Sequence, residues 1–184
     1  MTDIDIRLAD LSERQSLRAL QELSLRTLGA AYYDEDVIET FIAHIGTMDE
    51  TLIEDRTYFA AFVNGALAGC GGWSTRMPGY VQYMPSEALP GARKPVTVRS
   101  VFVHPDFSRR GVGRRIMAAI EAGIAAANFS KAALAATLSG IPFYRQLGYR
   151  GGAPVVLRLP GERLFLGTAM EKRIGRSTHE TRAA

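Results

Sequence analysis

"SRRGVGRR", Ser108 to Arg115, sets four arginines and two glycines within eight residues. Upstream lies "VTVRSVFVHP" (Val96 to Pro105), which has strand character. Downstream lies "IMAAIEAGIAAA" (Ile116 to Ala127), in which Val112, Ile116, Ile120, Ile124 and Ala127 fall on one helical stripe. Strand, glycine turn and amphipathic helix together make an anion site. The first N–H groups of a helix have no partner within it and point outward, and the macrodipole adds positive charge there. Glycine lets phosphate oxygens reach the backbone with no Cβ in the way. Arginine adds charge-assisted bonds. The plainer reading is a basic turn before a surface helix, and two glycines alone do not decide between them.

The familiar phosphate motifs do not fit. A P-loop needs Gly-Lys-Ser/Thr, and Gly113 is followed by Arg114 and Arg115. A dinucleotide-binding turn needs a third glycine where Ile116 stands.

The 184 residues suit one domain, and 47% hydrophobic residues suffice for a core. A net charge of +3 is too small to argue for nucleic acid. The arginine cluster lacks the interleaved aromatics and reading helix that nucleic-acid binding needs. One cysteine, Cys70, allows no intrachain disulfide, so a cytoplasmic chain is expected. Neither a signal peptide nor an apolar run long enough to span a membrane is expected. No metal-ligand cluster is expected either. The final residues, 175–184, are polar and open on a glycine, so a frayed tail is expected after a domain over 1–174.

Outward from the turn, the alternation slips in the preceding strand. Val96 and Val98 are even, Val101 and Val103 odd, so a bulge near Arg99-Ser100 would return both pairs to one face; the other reading is a strand buried on both sides, where alternation means little. "TYFAAFVNGALAGCGGWS" (Thr57 to Ser74) reads as a hairpin with Asn64-Gly65 as a type I′ turn. Gly69, Gly71 and Gly72 point to a bulge or to close approach of another element. Ile4 to Ala9 alternates as a first strand, and Asp10 or Ser12 can cap a helix bearing Leu17, Leu20, Leu25 and Leu28. A second helix is expected from about Asp34 to Ile45. Residues Thr75 to Lys94 form a long Pro/Gly-containing loop that covers either a substrate or the core edge. "KAALAATL" reads as a strand. "GIPFYRQLGY" reads as a short helix with Ser139 as cap, Pro142 in its first turn and Gly148 as its stop. Two return strands follow. The order is α+β rather than a regular βαβ alternation.

"VRSVFVHPDFSRRGVGRRIMAAIE" (Val98 to Glu121), followed by "PFYRQLGY" (Pro142 to Tyr149), resembles the GNAT superfamily of N-acetyltransferases. The resemblance runs in order along nearly the whole chain, and "GCGGWS" is similar to one bacterial subgroup. It implies a GNAT fold: a mixed, mostly antiparallel central sheet of about six to seven strands with helices on both faces. It implies acetyl-CoA as acyl donor. The coenzyme's pyrophosphate would meet the backbone from Arg109, Arg110, Gly111, Val112 and Gly113 to Arg114. Its pantetheine arm would pair along Val101, Phe102 and Val103. Tyr144 would face the sulfur.

Two positions depart from the family pattern. Ser108 stands where Gln or Arg usually opens the turn, and Thr137 stands seven residues before the tyrosine, where asparagine is common. Backbone binding depends on neither side chain. Relatives often carry a glutamate base on the bulged strand, where this chain has Arg99 and Ser100. Glu22, Tyr32, Tyr33, Asp34 and His104 are the residues left to consider, together with water. His104, before Pro105, has the look of a turn residue. Tyr32 and Tyr33, with Tyr80 and Tyr83 of the long loop, are candidates for contact with the acceptor. Cys70 has the setting of a small core residue. The expected reaction is transfer of an acetyl group from acetyl-CoA to an amine of a small molecule or protein. A homodimer is compatible with this. The alternative is a non-catalytic acyl-CoA sensor on the same fold.

Overall fold

A computed structural model of the protein describes residues 3–85 and 96–175. The strands are β1 (Ile4–Leu8), β2 (Tyr58–Val63), β3 (Ala66–Ser74), β4 (Val96–Val103), β5 (Lys131–Thr137), β6 (Arg150–Leu159) and β7 (Arg163–Arg173). The helices are α1 (Arg14–Gly29), α2 (Glu35–His44), α3 (Thr51–Glu54), α4 (Val112–Ala126) and α5 (Ile141–Gln146). The seven strands form one sheet in the order β1-β2-β3-β4-β5-β7-β6. Only the β4–β5 pair is parallel. The α+β expectation and its mixed, mostly antiparallel sheet are met. The proposed tail after 175 and residues 86–95 of the long loop lie outside the described residues.

Local signals act where the sequence places them. Asp10 accepts from Ser12 N–H at 2.8 Å while Glu13 accepts from Asp10 N–H at 2.9 Å, a capping box that starts the chain into α1. Asn64 and Gly65 adopt φ of 50° and 78°, as a type I′ turn requires. The glycines of β3 mark a close approach. A Cβ on Gly71 would stand 2.9 Å from Ile116 and 3.2 Å from Ile120, so α4 rests directly on bare backbone. Gly71→Val should therefore overpack this contact, costing about 2–3 kcal/mol and about 5–10 °C in Tm by thermal denaturation.

Helices cover both faces. Val112, Ile116, Met117, Ile120 and Ile124 bury α4 against Val96, Val98, Leu134 and Ala136. Ala127, expected on the same stripe, is exposed at the helix C-cap. On the other face α1 packs Leu17 and Leu20 against Leu52, Tyr58 and Cys70. Beside it, Ile38 of α2 joins Tyr33, Val155, Leu157 and Phe165. Ser139 does not cap α5; it lies in a 3₁₀ turn, Leu138–Gly140, and its Oγ meets Thr137 Oγ1 at 3.1 Å. Gly148, at φ 91°, ends the helix as expected.

Candidate active site

The slipped alternation of β4 is a bulge. Gly72 opposes Arg99 and Cys70 opposes Phe102, so Ser100 and Val101 together face Gly71. Ser100 takes up the strain with φ 51°. The correction works: Val96, Val98, Val101 and Val103 all reach the cluster under α4.

Beyond the bulge, β4 and β5 separate. They pair only at Val96↔Ala132 and Thr97↔Ala133. The remaining direction of each backbone group follows from the ladder. His104 N–H bonds Ala68 O at 2.9 Å, and Cys70 opposes Phe102, so the even residues point their N–H groups toward β3. Alternation then turns the N–H and C=O groups of Val101 and Val103 toward β5, where no strand meets them. The result is a wedge with unpaired backbone along one wall.

The glycine turn stands at the mouth of this wedge. Arg109 and Gly111 adopt φ of 62° and 88°, and Gly111 is the N-cap of α4 with no side-chain cap. Space around Gly111 is open: a Cβ there would meet nothing within 4 Å. A Cβ on Gly113 would lie 3.1 Å from the Phe143 ring and 3.4 Å from Val103. The start of α4, the end of β4 and α5 therefore converge on one point. Arg109, Arg110, Arg114 and Arg115 are exposed. None pairs with a carboxylate among the described residues. Arg110 lies over the Phe107 ring at 5.7 Å. Helix amides, positive φ and unpaired cations together form an anion cradle.

Tyr144 and Thr137 close the far end. A Cβ on Gly140 would stand 3.1 Å from the Tyr144 ring and 3.2 Å from Thr137 Oγ1, so both side chains flank the same glycine. Tyr144 is 9% exposed, and burial pushes its phenol well above the usual range. Its ring meets Phe143 and Tyr149 at 5.2 and 5.8 Å between centroids.

The acceptor candidates divide. Tyr33 is 8% exposed, stacks on Phe165 at 4.3 Å, donates to Leu166 O at 2.7 Å and accepts from Leu138 N–H at 2.7 Å. Burial lifts its pKa to about 12. Those bonds tie the turn between α1 and α2 to β7 and to the residue that follows β5, and substrate contact would require breaking them. Tyr32 is 50% exposed. Tyr83 donates to His44 O at 2.8 Å and so fastens its 3₁₀ turn, Gly79–Tyr83, to α2. Tyr80 lines a groove of about 380 Å³ with Met77, Val81, Ala133 and Val155.

Of the other residues considered as bases, Asp34 is exposed at the N-cap of α2 with no side-chain cap bond, whereas Glu22 and His104 are engaged. Glu22 bonds Arg26 at 3.2 Å. His104 Nδ1 accepts from Asp106 N–H at 3.2 Å, as a turn residue does. Arg99, on the bulged strand, is 8% exposed and bonds Asp49 Oδ2 at 2.5 Å and Arg76 O at 2.6 Å. Cys70 is fully buried and its thiol is pushed up to about 11, which fits a core residue. Among the described residues no group of three or more His, Cys, Asp or Glu is placed to hold a metal, and no helix is long and apolar enough to cross a membrane. The sequence offered no sign of Tyr58, Gln21 and Asp49, which gather beneath the bulge only through the sheet.

The fold is shared with solved acetyltransferases. A GCN5-related N-acetyltransferase from Rhodopseudomonas palustris superposes with a TM-score of 0.71 at 18% identity, covering 94% of this chain and 98% of that one. The PaiA N-acetyltransferase from Thermoplasma acidophilum, in complex with coenzyme A, gives 0.65 at 16% identity over 93% and 99%. The protein yncA from Salmonella typhimurium, with its cofactor acetyl-CoA, gives 0.63 at 16% identity over 95% of each chain. A search of the curated proteins finds no match. The family model of the acetyltransferase (GNAT) domain matches residues 54–151, a span that holds the hairpin, the bulged strand, the glycine turn and Tyr144. On that match, over more than half of its length, the chain belongs to the GNAT family of acetyltransferases.

Proposed function

We propose that the protein is an acetyl-CoA-dependent N-acetyltransferase, moving an acetyl group directly from the thioester to an amine of a small molecule or protein. The observation that carries this is the juxtaposition of the β4–β5 wedge with the uncapped start of α4. A long ligand with an amide-bearing arm and a pyrophosphate end matches both: the arm lies along Val101 and Val103, and the phosphates meet the amides from Arg109 to Arg114. Solved structures of the same fold with coenzyme A or acetyl-CoA support the choice of ligand.

The chemistry follows from the chain's own groups. The neutral amine's lone pair forms a bond to the thioester carbonyl carbon, the carbonyl π pair moves onto oxygen, and its return breaks the C–S bond to release thiolate. The Val101 N–H, open on the wedge side, is the donor for the oxyanion. Tyr144 serves as hydrogen-bond donor to the sulfur. An ordinary tyrosine is already a weaker acid than an ordinary thiol, so full proton transfer is uphill by about 2 kcal/mol. Burial of Tyr144 raises that cost. The amine's proton leaves through water, since the bulged strand offers Arg99, held by Asp49, and Ser100 rather than a carboxylate.

These roles fix the sign of the pH dependence. An acceptor amine must lose its proton, so kcat/KM should rise with pH toward the amine's own pKa. A tyrosine raised by burial stays protonated, so no falling limb assignable to Tyr144 should appear below about pH 10. A profile of wild-type enzyme against Tyr144→Phe checks this.

On the acceptor side, Tyr32→Ala and Tyr80→Ala should change acceptor KM with little change in acetyl-CoA affinity. Tyr33→Ala should lower the melting temperature and leave specificity alone, because its ring and hydroxyl are spent on the fold. The deciding experiment for the reaction is a panel of amines with thiol release as readout. Acceptor-dependent release of coenzyme A supports the enzyme. Tight acetyl-CoA binding without release for any amine supports a sensor, the reading favoured by the missing glutamate.

A further inference from the structure

The peptide bond between Ser100 and Val101 has a partner on its other side. Tyr58 Oη donates to Ser100 O at 3.0 Å. That carbonyl belongs to the same peptide unit as the Val101 N–H. Gln21 Nε2 in turn donates to Tyr58 Oη at 2.6 Å. Tyr58 is 1% exposed and Gln21 0%, so the bond between them lies in the interior, and the bond to Ser100 O is part-buried. Beside it, Ser100 Oγ donates to Thr47 O at 3.1 Å.

We infer that Tyr58, backed by Gln21, is a positioning residue that aims and polarises the Val101 N–H toward the thioester carbonyl. Three physical points carry this. Ser100 sits at φ 51°, which a non-glycine residue holds only when its surroundings fix it. The O–H···O=C bond fixes the rotation of the peptide plane, and with it the direction of the N–H on the opposite edge. Hydrogen bonds in series polarise one another, and a low dielectric strengthens each of them. A donor on Ser100 O thus makes the N–H of that peptide a better donor. Gln21 occupies the Tyr58 oxygen as acceptor and so leaves its proton for Ser100 O. Tyr58 touches neither coenzyme nor acceptor in this account and acts only through the bulge.

The inference rests on the acetyl-CoA reading above, and its test separates the two. The protein is loaded with acetyl-CoA carrying ¹³C at the thioester carbonyl, and the carbonyl stretch is read by infrared difference spectroscopy. Wild-type protein should shift the band to lower frequency than free acetyl-CoA. Tyr58→Phe should return it part of the way to the free value, with acetyl-CoA affinity changed no more than about twofold. Gln21→Met should move it in the same direction by less, because Tyr58 keeps its own proton. In single turnover with any acceptor found active, Tyr58→Phe should be slower by about 10-fold, less than the 10²–10³ expected for losing a direct donor. A residue that merely supports the fold would lower melting temperature and leave the band in place. An unmoved band in both folded variants overturns the positioning role while the coenzyme reading stands. Failure of wild-type protein to bind acetyl-CoA overturns the coenzyme reading and this inference with it.

Discussion

Gly111→Asp is expected to lower acetyl-CoA affinity by at least 100-fold while the protein keeps its fold. The position is at φ 88° with open space around it, and aspartate tolerates the left-handed region better than most residues. The new carboxylate has room, and that room is where the pyrophosphate is proposed to lie. Two unit charges 4 Å apart near a protein surface repel by about 4 kcal/mol, well over the roughly 2.7 kcal/mol that corresponds to 100-fold. Gly113→Asp should show a similar loss but with a fall in stability, since its Cβ would press on Phe143 and Val103. Calorimetric titration and thermal melts on both variants separate the terms. Unchanged affinity in Gly111→Asp would remove the glycine turn from the coenzyme site.

Tyr144→Phe should lower kcat by about 10- to 100-fold and leave acetyl-CoA affinity within about twofold. The ring stays in the cluster with Tyr149 and Phe143, so packing is kept. Only the hydroxyl is lost. A fully developed general acid contributes about 10²–10⁴-fold. A neutral hydrogen bond to a leaving sulfur should give less, and burial keeps this phenol from giving up its proton. A loss of 10³–10⁴-fold would mean that Tyr144 transfers its proton. Full activity would remove it from the mechanism.

The parts of this site that are legible in the sequence are those governed by local rules. Slipped valines pointed to the bulge because one extra residue restores a period of two, and the pairing with β3 decides for it over a strand buried on both faces. Asn64-Gly65 and the capping box at Asp10 are contiguous motifs with one low-energy geometry each. The glycine turn and Tyr144 were legible through family resemblance, because α4 and α5 meet only once β5 has crossed beside β4. Tyr33 shows where local reading fails. Adjacent Tyr32 and Tyr33 look alike in sequence, yet one is half exposed and the other holds bonds to residues more than 100 positions away. Tyr58 and Gln21 fail to stand out for the same reason. Their meaning depends on Ser100, which is 42 positions from Tyr58. Ser139 lost its expected capping role to the 3₁₀ turn, which directs its hydroxyl toward Thr137 instead.

The central claim is that acetyl-CoA lies in the β4–β5 wedge with its pyrophosphate on the start of α4. Amide hydrogen exchange with and without acetyl-CoA reads both walls in one experiment. The ligand should slow exchange at Val101 and Val103, whose N–H groups face the open side of β4, and at the amides from Gly111 to Arg114. Amides of β1 and β2 should be unchanged. No protection at either wall, or protection confined to residues outside the wedge and the turn, would contradict the assignment.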